Sequence, residues 1–384
     1  MLKIRAIMSQ RVAFLTHFIA PYRLPLYQSL AAQLQDLKIF VSTPMEPNRP
    51  WQSNWGDLTV QVQRKFTLIR TWNHPQGFAE TLYVHVPYDT FWVLGSYQPN
   101  IVISHELGMR TLQAALYCKW RKKTKFIIWA KCSESTEQGR GKLREMLRRW
   151  LIPQADGIVV NGDSGARYIR RFGIPLEKIF RAFQSTDTSN FSGVRLEKSQ
   201  KEAYRLLFVG QLIERKNMQR FLGELIKWTE NHPERSLEFW LVGDGSERSP
   251  LETQPVPENL HLKFFGNIAY DQLPELYAQA GMFVFPTLAD EWGQVVNEAM
   301  ASGLPILGSL GSQAVEELCT EGKTGWVFQP DRPSEIYQAI DRALSTSPET
   351  LEQMRIQSRK RIESMTPEFV ASKFVEAINS IMAK

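Results

Sequence analysis

Short, nearly unbroken runs of Val, Ile, Leu and Phe, each followed by a stretch with helical spacing, recur along this chain in two separate series. A strand with one wet face alternates apolar and polar residues. A run that is apolar throughout is covered on both faces, which is the state of strands in parallel sheets flanked by helices. The first series comprises Val12–Thr16, Leu37–Ser42, Ile101–Ser104, Phe126–Trp129 and Gly157–Asn161, with Leu24–Leu34 reading as the helix after the first strand. The second starts at Arg205–Gly210 and continues through Leu237–Gly243, Leu260–Gly266, Met282–Pro286 and Pro305–Gly308. The chain is therefore expected to be α/β, with two doubly wound parallel-sheet domains that face each other across a cleft. Their ligands are expected at the carboxyl ends of the strands. A length of 384 residues suits two domains. Residues 183–200, rich in Ser, Thr, Asp and Asn, read as the linker, giving domains over 1–188 and 200–366.

Charge divides along the same line. Residues 1–190 carry 26 Lys/Arg and 13 Asp/Glu, whereas residues 191–384 carry 20 and 27, so balances of +13 and −7 underlie the net +6. The first half is expected to face something anionic. Much of its excess lies in 119–125 (KWRKKTK) and 139–151 (GRGKLREMLRRWL). There Leu143, Met146, Leu147, Trp150 and Leu151 fall at helical spacing among Arg140, Lys142, Arg144, Arg148 and Arg149. Two readings stay open: a helix lying on an anionic membrane through residues 119–151, or a core-facing helix with a solvated basic face. Nucleic acid is not expected as a partner, since no recognised module is present and Trp120 and Trp150 are the only interleaved aromatics. No apolar run approaches the ~20 residues that span a bilayer, and no leader cleavage pattern follows the N-terminus. The expected location is cytoplasmic, with the basic half a candidate for peripheral attachment to the inner face of the cytoplasmic membrane. Cys118, Cys132 and Cys319 make neither a disulfide framework nor a metal spacing.

Several chemistries lack their motif. No Gly-x-Gly-x-x-Gly follows the first strand of either series, and there is no Gly-x-x-x-x-Gly-Lys-Ser/Thr P-loop, Gly-x-Ser-x-Gly elbow or Asp-x-Asp pair. The informative segment is Pro286–Pro305, PTLADEWGQVVNEAMASGLP. It reads as a strand end, an acidic loop, and a helix that starts near Gly293 and ends before Gly303. Backbone N–H groups at that helix start make an anion site. Carboxylates beside it suit a ligand that also presents hydroxyls, and a phosphate joined to a polyhydroxyl group is a nucleotide sugar.

Here the sequence resembles a family. The segment is similar to the E-P-F-G-x-x-x-x-E signature of family-4 retaining glycosyltransferases (glycosyl transferases group 1), which have the GT-B fold of two Rossmann-like domains. In step with Gly293, Glu298 is the second acid, Asp290 stands at the first, and Glu291 replaces Pro. Phe208–Asn217 (FVGQLIERKN) resembles the family's diphosphate loop, with Lys216 matching, Gln211 in place of Arg, and Arg215 adjacent as a substitute charge. Leu241–Glu247, Phe265–Ile268 and the Glu321–Phe328 turn also match, and Ala155–Asn161 and Pro175–Phe180 match more weakly. The resemblance implies Asp290, Lys216 and Arg215 as catalytic residues. It implies Gly210, Gln211, Ile268, Glu291, Trp292, Gly293, Gln294, Val295 and Glu298 around the donor. It also implies that a terminal helix, 367–384, packs back on the first domain.

In the amino half, Thr16–Pro25 resembles a subgroup with P-Y-R after the first strand. His17, Arg23, Glu106 and Glu134 all follow predicted strands and are the acceptor-side candidates, each with an alternative reading as a strand-end or solvated loop residue. The implied reaction is hexosyl transfer, with retention, from a UDP- or GDP-type sugar to an acceptor hydroxyl in surface polysaccharide or glycolipid synthesis. The acceptor would be a sugar or a lipid-linked sugar, and no cofactor or metal is expected. Two alternatives are another GT-B reaction (epimerase or inverting transferase) and a nucleotide-sugar-binding protein without catalysis.

Overall fold

The computed structural model describes residues 10–46 and 52–383. They form two compact units, one within the spans Met1–Pro75, Ala79–Thr186 and Met365–Lys384, the other within Gln76–Phe78 and Asp187–Ser364.

The first unit is built on strands β1 (Arg11–Thr16), β2 (Asp36–Val41), β3 (Val60–Val62), β6 (Ile101–His105), β7 (Lys125–Ala130), β8 (Gly157–Val160) and β9 (Ile179–Arg181), in the order β3-β2-β1-β6-β7-β8-β9. Every pairing in this sheet is parallel. Phe14 and Trp129 from the strands meet Phe374 of the helix Pro367–Met382, with centroids 6.1 Å and 5.2 Å apart, so this C-terminal helix helps to cover one face. The same helix packs along the helix Leu24–Gln33. A second apolar cluster, including Leu15, Val102, Ile128 and Leu151, fills the other face. Coverage on both faces explains why Val12 to Thr16 are all buried.

Strands β4 (Lys65–Asn73) and β5 (Ala79–Pro87) form an antiparallel hairpin beside this sheet. The strand series read from sequence does not contain it. Its physical reason is burial: six consecutive residues of β4, Phe66 to Thr71, are exposed, so no uniform apolar run marks it.

The second unit carries β10 (Leu206–Val209), β11 (Leu237–Val242), β12 (Leu260–Gly266), β13 (Met282–Phe285), β14 (Ile306–Ser309) and β15 (Gly325–Phe328), in the order β12-β11-β10-β13-β14-β15, again with parallel pairing throughout. The segment Glu321–Phe328, read as a turn, contributes β15 at one edge. Each sheet thus reverses its strand order once, between β1 and β6 in the first and between β10 and β13 in the second. Loops leaving the carboxyl ends on either side of such a reversal diverge and open a crevice.

Candidate active site

In the second unit the loops after β10 and β13 meet at the switch point. The first, 210–217, passes through a single turn at Glu214–Lys216 and ends at Asn217, whose φ is +60°. The Asn217 side-chain amide donates to the carbonyls of Pro286 (3.2 Å) and Pro330 (2.9 Å). This residue, given no role of its own in the sequence reading of Phe208–Asn217, ties the two loops together. Leu288 N–H and Thr287 Oγ1 both donate to the Arg215 carbonyl, at 2.9 Å and 3.1 Å.

That tie brings residues 74 apart in sequence into one charged group. Lys216 Nζ donates to Asp290 Oδ2 at 2.6 Å, and Arg215 Nη1 donates to the same oxygen at 3.1 Å. Trp292 N–H donates to the other oxygen at 3.2 Å. Burial opposes ionisation of Asp290, but the Lys216 and Arg215 charges outweigh it and hold the carboxyl well below the usual range. Lys216 also lies 4.7 Å above the Phe285 ring. Gly293 follows at φ +103°, where a Cβ would stand 2.6 Å from that ring. Only glycine fits, and it starts the helix Gln294–Ala301, whose first turn presents backbone N–H groups at this edge.

Glu298, one turn into that helix, is buried and accepts from Tyr277 (3.1 Å) and Tyr270 (3.3 Å) hydroxyls. Burial pushes its pKa up to about 7, against the pull of those two hydrogen bonds. The folded chain therefore keeps this proton to about pH 7, while the unfolded chain loses it near 4.5. Stability from this group is fully present below pH 4.5 and falls as pH rises to 7, by about 3 kcal/mol at most. Denaturant titrations across this window should show that slope in the wild type and lose it in Glu298→Gln. A wild-type profile as flat as the variant's would mean that Glu298 is not held protonated.

The other donor-side candidates are placed as follows. Gly210, Gln211 and Ile268 lie in loops at strand ends, Gln211 being exposed. The Glu291 carbonyl accepts from Gln313 at 2.8 Å. Gln294 and Val295 occupy the first helical turn. The Trp292 side chain is 1% exposed and donates through Nε1 to Asn297 at 2.8 Å, so its indole is enclosed and not presented to a ligand.

Comparison with known proteins gives this unit its family. Residues 195–361 match the family model "Glycosyl transferases group 1". Residues 195–361 are a group 1 glycosyltransferase domain. Among curated relatives, sulfoquinovosyl transferase SQD2 of Arabidopsis thaliana is 29% identical over 47% of this chain and 34% of its own length. Alpha-D-kanosaminyltransferase of Streptomyces kanamyceticus is 25% identical over 54% of this chain and 55% of its own. The match thus spans from a third to just over half of these relatives' own length. Among solved structures, the lipopolysaccharide outer core galactosyltransferase WaaB superposes with a TM-score of 0.70 at 14% identity, over 96% of this chain and 99% of its own. Anabaena Alr3699/HepE, solved with UDP, gives 0.68 at 14%, over 95% and 98%. At such identity the likeness shows the fold, that of two Rossmann-like domains. The Asp290–Lys216–Arg215 group and Glu298 all lie inside the group 1 domain.

In the first unit the switch point holds a second cluster. Glu106, directly after β6, has φ +71° and lies 3.6 Å from Lys131 and 3.7 Å from Arg110. Desolvation works against its charge, yet Lys131, His17, Arg110 and Arg23 together draw its pKa down to about 2. His17, after β1, is 3.4 Å from Glu46 and its ring centroid is 4.6 Å from that of His85. Burial, opposed by Glu106 but reinforced by Arg110, His85 and Lys131, takes His17 down to about 3. Of the acceptor-side candidates, His17, Arg23 and Glu106 thus share one electrostatic environment. Glu134 instead pairs with Arg167 at 2.7 Å. Sequence reading missed Arg110, Lys131, His85 and the buried His105, which stacks on Trp129 at 4.4 Å. Runs of apolar residues give no signal for a cation on the helix behind a strand. His17, Glu46 and His85 hold the one group of metal-type ligand atoms among the described residues, all within 4.8 Å of one another.

Proposed function

We propose that the protein transfers a hexosyl group, with retention of configuration, from a nucleotide diphosphate sugar of the UDP or GDP type to an acceptor hydroxyl. The observation that carries the reading is the Lys216–Asp290–Arg215 group at the start of a helix. In it two cations and the helix N–H groups converge where a departing diphosphate needs charge stabilisation. Asp290 would accept from sugar hydroxyls, and releasing its hold on Lys216 frees that ammonium for phosphate. Glu298 would take the ribose hydroxyls. Two fixed cations at the leaving group support a reaction that needs no metal. The crevice around Glu106 is the acceptor side in this reading, and the product belongs to surface polysaccharide or glycolipid synthesis. The curated relatives named above are sugar transferases, and HepE was solved with UDP, both of which favour this donor class.

Thermal unfolding with UDP, GDP and their sugars, in EDTA, tests the donor site. A ligand at 100 times its Kd adds about 2.7 kcal/mol and raises the midpoint. The expected result is a rise with one base and its sugars, undiminished by EDTA. No rise with any of them, in folded protein, would overturn the reading. A rise that depends on added metal would overturn its metal-independent part.

A further inference from the structure

The helix Lys142–Leu151 sits with its apolar stripe outward. Leu143 is 77% exposed and Met146 63%, whereas Arg148 is buried. Besides a helix lying on an anionic membrane, the sequence left open a core-facing helix, with Leu143, Met146 and Trp150 against the core and Arg148 on the solvated basic face. The structure reverses this for those four; Leu151 is buried and Leu147 half-buried. The reason is local: Arg148 forms an ion pair with Glu137 and donates to the Tyr168 hydroxyl at 2.9 Å, fixing the polar side of the helix inward.

Neighbouring helices carry further exposed aromatic residues. The helix packs on Met109–Trp120, which in turn packs on Thr90–Tyr97. Lys119 Nζ lies 5.9 Å from the Trp150 ring centre, Tyr117 is 6.2 Å from Trp120, and Phe91 is 6.0 Å from Tyr117. Trp92 and Trp120 stand out at 72% and 67% exposure. Together with Trp150 they put three tryptophans on the surface of three successively packed helices of one unit, side chains that are apolar in body and polar at one end. The rim is basic: Lys119, Arg121, Lys122, Lys123, Lys142 and Arg149 are all exposed.

We propose that this face of the first unit docks the protein on an anionic phospholipid bilayer. Trp92, Trp120, Trp150, Leu143 and Met146 enter the interfacial zone, and the basic rim meets the lipid phosphates. Charge complementarity selects this occupant, because an apolar protein partner would gain nothing from the rim, while anionic headgroups neutralise it. No helix among the described residues is long and apolar enough to cross a membrane, so attachment lies in the plane of the interface. The inference stands apart from the donor reading and survives if nucleotides fail to bind.

Flotation with phosphatidylcholine vesicles, with and without phosphatidylglycerol, tests it. The expected result is co-flotation with the anionic vesicles only, weakened by salt, with a blue shift of tryptophan emission. Lys122→Gln with Lys123→Gln should weaken binding by on the order of fivefold per residue. Leu143→Ser with Met146→Ser, both at exposed positions, should abolish the blue shift while leaving the unfolding midpoint in place. Absence of binding to anionic vesicles at low salt overturns the proposal, as does equal binding to neutral ones or unchanged binding by both variants. Concentration-dependent dimers that those substitutions dissolve, with no vesicle binding, would assign the face to a second copy of this chain instead.

Discussion

Lys216→Ala should cut sugar transfer by a factor of about 10²–10³, the size of effect seen when one preorganised donor to developing charge is removed. The donor for the assay is whichever nucleotide sugar raises the unfolding midpoint. Lys216 Nζ is held 2.6 Å from Asp290 Oδ2, which keeps the ammonium at the helix start until Asp290 turns to the sugar hydroxyls and releases it. The same contact gives the variant a stability signature. Removing Lys216 leaves the half-buried Asp290 carboxylate with Arg215 Nη1 at 3.1 Å as its remaining cation. Asp290→Ala removes the group that both cations serve. The two single losses in stability should therefore sum to more than the loss in the double variant, a coupling of about 1–3 kcal/mol in a double-mutant cycle. Transfer, in contrast, should be low in all three. Near-normal turnover in Lys216→Ala would remove this residue from the chemistry, and strict additivity would deny that the pair acts as a unit.

The second large effect is steric and lies outside the charged group. Gly243 follows β11 at φ +127°, and a Cβ there would stand 1.9 Å from the Gly210 carbonyl oxygen. Backbone holds both glycines in place: Gly210 N–H donates to the Val242 carbonyl at 2.9 Å, and Gly243 N–H to that of Gly266 at 2.7 Å. Gly243→Ala should lower stability by about 3–5 kcal/mol, combining a glycine-only backbone conformation with overpacking. It should also weaken nucleotide binding, because the loop it displaces, 210–217, carries Arg215 and Lys216. Gly223, within the helix Met218–Asn231, provides the control. A Cβ there meets nothing within 4 Å, so Gly223→Ala should stabilise by about 0.5–1 kcal/mol. Chemical denaturation of the two variants checks both signs. A Gly243→Ala variant as stable as the wild type would show that the loop yields, and would detach loop position from donor affinity.

Two α/β sheets were legible because burial on both faces writes itself into consecutive residues: Val12–Leu15 and Leu206–Val209 have no polar member to break the run. The hairpin of β4 and β5 was illegible for the converse reason, its first strand being largely exposed. The Pro286–Pro305 segment could be read because a strand end, a glycine and a helix start are consecutive, and a helix start as an anion site is a local property. Gly293 could be singled out on that ground alone. Trp292 shows the limit, since its place in the motif did not reveal that its side chain is enclosed.

What the sequence by itself determined, then, is what depends on near neighbours: the succession of strands and helices, the parallel sheets, and the strand-to-helix turn at Gly293. The tertiary structure decided everything that depends on which strands lie side by side. Strand order puts the loop after β10 beside the loop after β13, and so joins Lys216 and Arg215 to Asp290. The helix Leu273–Gln279 brings Tyr277 to Glu298, where burial without a cation holds the proton to about pH 7. In the helix Lys142–Leu151 the apolar periodicity is plain in sequence, but its direction is not. One buried ion pair, Arg148 to Glu137, outranks the stripe of Leu143 and Met146 and turns it to solvent. An unpaired charge in the core is more costly than exposed hydrocarbon, so the paired charge takes the inside.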